Sequence, residues 1–324
     1  MFYFIVSQIL LRLFLKEKNE FFFHPISRII LSKLYIIYIT RKISNKKKIF
    51  FVLKFFFCFL FSIFSIILFN IDDIFFDYKR TQIKKPLFII GKFRSASTFT
   101  HRELLKNNKN YISPTFKECL FPFICLQYIF DFLNIFVDFD NILHYFFGKN
   151  ILEKHEMKFD LEEEDDLFIS TYFGISWYNI LQFPFFETWI YNAHVKSLSY
   201  SEREHIYSLY HKFYQKIIYK RGNKNSILVA KSHMNDMTDF YYSFPDATII
   251  SVKREQNKIN ESTISLFQEV HQKLHDIFYD KCIYNKNLKI FYKYFENNES
   301  YYKKNTIYIN FEDNVDITKL FSKS

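Results

Sequence analysis

The segment Pro86–Leu105, PLFIIGKFRSASTFTHRELL, constrains this chain more than any other: an apolar run stops at a glycine, passes through a short polar stretch and enters a helical pattern. Leu87–Ile90 has the length and composition of a short buried strand, Gly91 breaks it, and Lys92–Thr98 leads into the helix. A strand that feeds a helix through a polar loop makes an anion cradle. The first N–H groups of a helix lack intrahelical acceptors and carry partial positive charge, so phosphate or sulfate is attracted to the loop before them. Arg94, Ser95, Ser97 and Thr98 would add a permanent cation and hydroxyl donors.

The spacing nearly meets the nucleotide-triphosphate pattern G-x-x-x-x-G-K-[ST], but Ala96 stands at its second glycine and Ser97 at its lysine. The missing lysine, together with the lack of a clear Mg²⁺-binding aspartate at a strand end, argues against a kinase or NTPase. The positive charge comes earlier, from Arg94, which suggests a phosphate-bearing donor handled by a different chemistry.

Beyond Pro86 the pattern alternates short strands with helices. Leu87–Ile90, Ile227–Ala230, Thr248–Val252 and Thr306–Phe311 are short, apolar and β-branched-rich, as buried parallel strands are. Ile206, Leu209, Tyr210, Phe213 and Ile217 share one helical stripe, as do Ile264, Phe267, His271, Leu274 and Phe278. Strand, crossover helix, strand predicts an α/β fold: a P-loop-NTPase-like parallel sheet flanked by helices, preceded by hydrophobic N-terminal helices. Ligands of such sheets bind at the carboxyl ends of the strands. There the chain places Arg94–Thr98, then Lys231-Ser232-His233, then Lys253-Arg254 with Ser262 following. Each has an ordinary alternative: Lys231 as a solvated cation, His233 beside capping residues Asn235 and Asp236, Arg254 paired with Glu255 or Asp246. Their joint placement at three strand ends favours one site.

Residues 1–80 read as a hydrophobic, basic, membrane-associating helical region, and residues 81–324 as the catalytic domain. The first 80 residues carry 13 Lys and Arg against 5 Asp and Glu, so net +8 of the chain's +10 is local to them. Basic residues interleaved with apolar runs suit anionic lipid head groups, whereas a nucleic-acid binder would spread its charge over the folded domain, so no nucleic-acid partner is expected. Phe50–Asn70 has just the length to span a bilayer, with Lys54 snorkelling toward Lys46, Lys47 and Lys48; Met1–Leu15 and Ile29–Ile39 suit the interface. Membrane association, single-pass or monotopic, is therefore expected, with helices simply packed on the catalytic domain as the alternative. Cys58, Cys119, Cys125 and Cys282 form no C-x-x-C pair and no metal-ligand spacing with histidine.

Pro86–Thr98 resembles the loop of sulfotransferases that use 3′-phosphoadenosine 5′-phosphosulfate (PAPS), whose broad bacterial and eukaryotic branch has the form P-x-F-[IV]-[IV]-G-x-x-R-S-G-[ST]-T; only Ala96 departs. Alanine fits there without strain if its φ is negative. Ile227–Arg254 is similar to the family's strand, K-S-P-x-H segment, F-P-D-A turn and strand ending in arginine, with Phe244-Pro245-Asp246-Ala247 as the turn and a shorter Lys231-Ser232-His233, which resembles the K-T-H of cytosolic sulfotransferases. Glu255-Gln256 replaces the family's Asp-Pro after that arginine. Leu161–Asp166 resembles an acidic block of this branch and Tyr308–Asp313 its C-terminal strand.

The resemblance implies PAPS as donor, with Arg94, Ser95, Ala96, Ser97, Thr98 and Phe99 around the 5′-phosphosulfate and Arg254 with Ser262 on the 3′-phosphate. It also implies His233 as general base toward an acceptor hydroxyl, Lys231 as the neutraliser of developing charge, and no metal. The acidic run reads first as a solvated face; the functional alternative is that Glu164 orients the acceptor or serves as a second base. The acceptor is a glycan, a lipid or another small molecule. A catalytically degenerate membrane-associated nucleotide-binding or scaffolding protein of the same fold is the rival reading.

Overall fold

Strands too short and too uniformly apolar to leave a face in water must be covered on both sides. In this computed structural model, which describes residues 44–134, 136–147, 156–173, 181, 184–186, 200–233, 243–299 and 306–313, they are β1 (Leu87–Gly91), β2 (Tyr111–Ile112), β3 (Ile227–Ser232), β4 (Thr248–Lys253) and β5 (Thr306–Asn310). The order is β2-β3-β1-β4-β5, every pairing parallel. The α/β expectation holds. The register sets Ile90 opposite Ser232 and Gly91 opposite Val252, so the three informative strand ends lie side by side. Strand β2 was not anticipated, because two residues give no period to detect.

The described helices are α1 (Asn45–Phe75), α2 (Ser97–Asn107), α3 (Phe116–Leu120), α4 (Ile124–Leu133), α5 (Phe139–Phe147), α6 (Asp166–Phe173), α7 (Tyr200–Arg221), α8 (Gln256–His275) and α9 (Lys281–Glu299). The α7 stripe is buried throughout and meets Phe88 and Leu228 in one core cluster, where Phe168 of α6 stacks on Phe213 at 4.4 Å. On another side, α8 and α9 close around Phe93. The α8 stripe ends earlier than expected: Phe278 lies beyond the helix and is exposed.

Of the hydrophobic N-terminal helices, the runs Met1–Leu15 and Ile29–Ile39 lie outside the described residues. Phe50–Asn70 falls within α1. Among the described residues no helix is long and apolar enough to cross a membrane. Near its C-terminus α1 is part of the protein interior: Ser65, Leu68, Phe69 and Asp72 are buried. Asp72 accepts from the backbone N–H groups of Ile124 (2.7 Å) and Cys125 (3.0 Å) and from Lys216 Nζ (2.8 Å), itself 3.8 Å from the Phe69 ring centre. Burial draws the Lys216 pKa down to about 8, with Asp72 opposing the shift. At the other end Lys47 Nζ donates to the Lys273 carbonyl at 3.0 Å. A helix tied at both ends to the same domain runs along it.

Candidate active site

Gly91 ends β1 where nothing larger fits. A Cβ there would lie 2.5 Å from Ser95 Oγ and 3.0 Å from the Val252 carbonyl oxygen. The loop then turns through two left-handed residues that are not glycine, Arg94 (φ 64°) and Ala96 (φ 73°, ψ 15°). The condition for a strain-free alanine, a negative φ, is not met at Ala96: the turn that brings Ser97 into the first turn of α2 needs the conformation glycine adopts freely. Ala96 caps α2 with no side-chain acceptor, which leaves the helix's N–H groups to an anion. Left-handed alanine is strained, so Ala96→Gly should stabilise the fold by about 1 kcal/mol. A urea midpoint unchanged or lowered in that variant would contradict the assignment.

Phe93 is embedded between α8 and α9, with ring centres 5.9 Å from Phe267 and 5.3 Å from Phe291, and this fixes what its neighbour can reach. Arg94 Nε donates to Ser262 Oγ at 2.8 Å, and Arg254 Nη1 donates to the Arg94 carbonyl at 3.0 Å. Arg94 was expected in the loop and Ser262 with Arg254. The structure instead gathers all three, because the anchored Phe93 sets Arg94 beside α8. Arg254 also lies 5.5 Å from the Phe311 ring, which Phe99 meets edge-on at 5.7 Å. It makes neither of the ion pairs, to Glu255 or Asp246, considered from sequence; Asp246 accepts the Lys85 N–H instead.

Burial lowers the Arg94 pKa and the like charge of Arg254 lowers it further. Arg254 Nε and Ser95 Oγ are buried without a hydrogen-bond partner among the described residues. Two clustered guanidinium groups, with the Arg254 Nε and the Ser95 hydroxyl left over as donors, are the chemistry of an anion site.

The acidic run is not a solvated face. Glu163, Glu164, Asp165 and Asp166 are all buried. Backbone bonds draw them inward: Glu163 N–H to the Pro114 carbonyl (2.9 Å) and Asp165 N–H to the Lys231 carbonyl (3.1 Å). Tyr214 OH donates to Asp165, and the His233 N–H donates to Asp166. Burial pushes Asp165 well above the carboxylate range and Asp166 up to about 6. Charge runs average to solvent exposure, so sequence spacing missed Asp165 and Asp166; a usable signal was the position of Asp166 at the first turn of α6.

Glu164 ties the second strand end together. Its Oε1 accepts from Lys231 Nζ at 2.6 Å and its Oε2 lies 3.0 Å from His233 Nε2. Lys231 Nζ also reaches Thr98 Oγ1 at 2.6 Å, linking this network to the anion loop. His233 Nδ1 sits against the Gly91 carbonyl, which can only accept, so Nδ1 carries a proton. Nε2 then faces a carboxylate, and a proton on Nε2 would be shared between the two. Burial alone would lower the His233 pKa, but Glu164 and, more weakly, Asp166 raise it above the ordinary value. The Asn235 and Asp236 caps considered from sequence lie outside the described residues.

A model of the sulfotransferase family matches residues 86–318. The chain belongs to the sulfotransferase family. By fold it is similar to a sulfotransferase of Mycobacterium avium, with 14% identity, a TM-score of 0.59 and coverage of 79% of this chain and 67% of that one. A sulfotransferase of Mycobacterium tuberculosis H37Rv gives 14% identity, a TM-score of 0.61 and coverage of 89% and 78%. No curated protein matches by sequence. In this member of the family Gly91–Thr98 joins β1 to α2, and the network of Lys231, Glu164 and His233 stands beside it.

Proposed function

We propose that the chain moves a sulfuryl group from PAPS to a hydroxyl or amine of a carbohydrate, lipid or other small acceptor. The observation that carries this is the convergence of the Arg94, Arg254 and Ser262 anion cluster with the Glu164–His233 pair across a single loop. Sulfuryl transfer asks for in-line placement and for charge stabilisation on the leaving phosphate. The loop amides, Ser95, Ser97 and Thr98 would hold the 5′-phosphosulfate, and Arg254 with Ser262 and Arg94 the 3′-phosphate side. The acceptor oxygen bonds to sulfur as the bond from sulfur to the bridging oxygen breaks, and adenosine 3′,5′-bisphosphate leaves. The acceptor's proton passes to the Glu164–His233 pair once that pair has lost its shared proton. Lys231 neutralises charge between donor and acceptor.

Because the His233 pKa is raised, turnover should climb with pH along an acid limb above the ordinary imidazole value. Arg254→Ala should weaken binding of adenosine 3′,5′-bisphosphate by roughly 10- to 100-fold, the worth of one charge-assisted hydrogen bond; unchanged calorimetric affinity would remove Arg254 from the donor site. The overall test is incubation with labelled PAPS and a total lipid and glycan extract. A sulfated product supports the proposal, and no turnover with any acceptor refutes it.

Membrane association through residues 1–80, monotopic rather than spanning, is part of the same proposal. Its support is one face of α1 on which Ile49, Leu53, Phe64, Ile67 and Ile74 are exposed while the opposite side packs on the domain.

A further inference from the structure

Asp166 plays no part in the chemistry described above, yet it is buried behind the reacting groups. Its carboxylate could have capped its own helix, α6; instead it accepts the backbone N–H of His233 at the end of β3. We infer that Asp166 is a positioning residue for the transfer: through the His233 backbone it fixes where the imidazole sits, and its charge sets how firmly the Glu164–His233 pair keeps its shared proton. This rests on that pair being the proton acceptor.

Three contacts define the imidazole. The backbone N–H is held by Asp166, Nδ1 lies against the Gly91 carbonyl, and Nε2 faces Glu164 at 3.0 Å. The ring meets Phe93 edge-on at 5.9 Å, so it cannot swing toward α8 without displacing a core side chain. The charged groups around it divide by sign. Glu164 and Asp166 favour the imidazolium, and Lys231 opposes it. Arg94 acts on Glu164 from the loop, and burial pushes the Asp165 pKa above the carboxylate range while Tyr214 donates to it. Of the two carboxylates that favour the protonated ring, Glu164 touches the ring nitrogen and Asp166 touches only the backbone. Asp166 therefore acts on the pair through the His233 backbone and through its charge.

Asp166→Asn keeps an amide oxygen to accept the His233 N–H but removes the charge. The imidazolium then loses one of its two favourable partners, so its proton is released at lower pH. In the full chain, held in nanodiscs and labelled with ¹⁵N-histidine, the His233 titration midpoint should move about one unit to acid, the shift expected from losing a nearby opposite charge. The acid limb of the kcat–pH profile should move with it. Asp165→Asn should leave the His233 midpoint in place, because Asp165 accepts from Tyr214 and is not among the charges that act on the ring. A folded Asp166→Asn protein with both midpoints unmoved overturns the inference, since a merely structural role predicts that result. If Asp166→Asn does not fold, the unaltered chain decides: His233 resonances must show a second inflection as Asp166 protonates near pH 6, and a single inflection overturns the inference. The NMR readout needs no acceptor, so absence of PAPS turnover would sink the proposed activity while the titration still judged Asp166.

Discussion

His233→Ala is expected to lower turnover at least ~100-fold while leaving the affinity for adenosine 3′,5′-bisphosphate unchanged, since a positioned acid–base group contributes roughly 10²–10⁴-fold. The structure sharpens why both halves of that result should hold. His233 reaches Glu164 and the Gly91 carbonyl, whereas the clustered guanidinium groups of Arg94 and Arg254 lie at neighbouring strand ends. Removing the imidazole leaves the Glu164 carboxylate ion-paired with Lys231 and takes away the ring through which a proton would pass. Single-turnover rates with labelled donor, beside calorimetry of the desulfated nucleotide, check the two halves separately. Near-normal turnover would remove His233 from the mechanism.

Asp72→Ala is expected to cost about 3–5 kcal/mol, the usual penalty for leaving one member of a buried ion pair uncompensated. That is a large share of the roughly 5–15 kcal/mol by which domains are stable. Lys216 would face the Pro122 carbonyl and the Phe69 ring without the carboxylate it pairs with, and the N–H groups of Ile124 and Cys125 would lose their acceptor. The sign of the pH dependence follows. The unfolded chain keeps Lys216 protonated to higher pH than the folded one, so stability gained on deprotonating it rises with pH, and in the variant that rise begins lower. The deficit against the unaltered protein should therefore narrow as pH climbs toward about 8, where Lys216 titrates in the intact pair. Asp72→Asn combined with Lys216→Met should recover much of the loss, because neutral groups of similar size replace a buried pair at little cost. Chemical denaturation of all three proteins tests this, and a single variant as stable as the parent would show that α1 is not structurally coupled to α4 and α7.

The strands and helices of the domain were legible because their signals are local. Leu87–Ile90 and Thr248–Val252 are apolar and β-branched over lengths only strands share, and the α7 residues Ile206, Leu209, Tyr210, Phe213 and Ile217 keep a helical period that the structure buries without exception. Strand β2 and the packed end of α1 were not legible. Two residues carry no period, and an apolar helix reads the same whether lipid or protein covers it; it is Asp72, reaching α4 and Lys216, that settles the matter near the C-terminus of α1.

What the sequence by itself determined was the kind of site: a strand, a glycine, an arginine-bearing polar loop and a helix, with Lys231, His233, Arg254 and Ser262 at or just beyond the ends of parallel strands. Order along the chain is enough for that, because parallel strands connected by helices must bring their carboxyl ends to one edge. Only the tertiary structure decided the site's electrostatics. Five consecutive acidic residues look solvated from their composition, yet backbone bonds to Pro114 and Lys231 turn four of them inward, and burial raises the pKa of Asp165 and Asp166. The sign of φ at Ala96 and the pairing of Arg94 with Ser262 were decided in the same way, by where the loop must end and where Phe93 is anchored. Protonation and backbone strain depend on neighbours distant in sequence, and no local pattern encodes those.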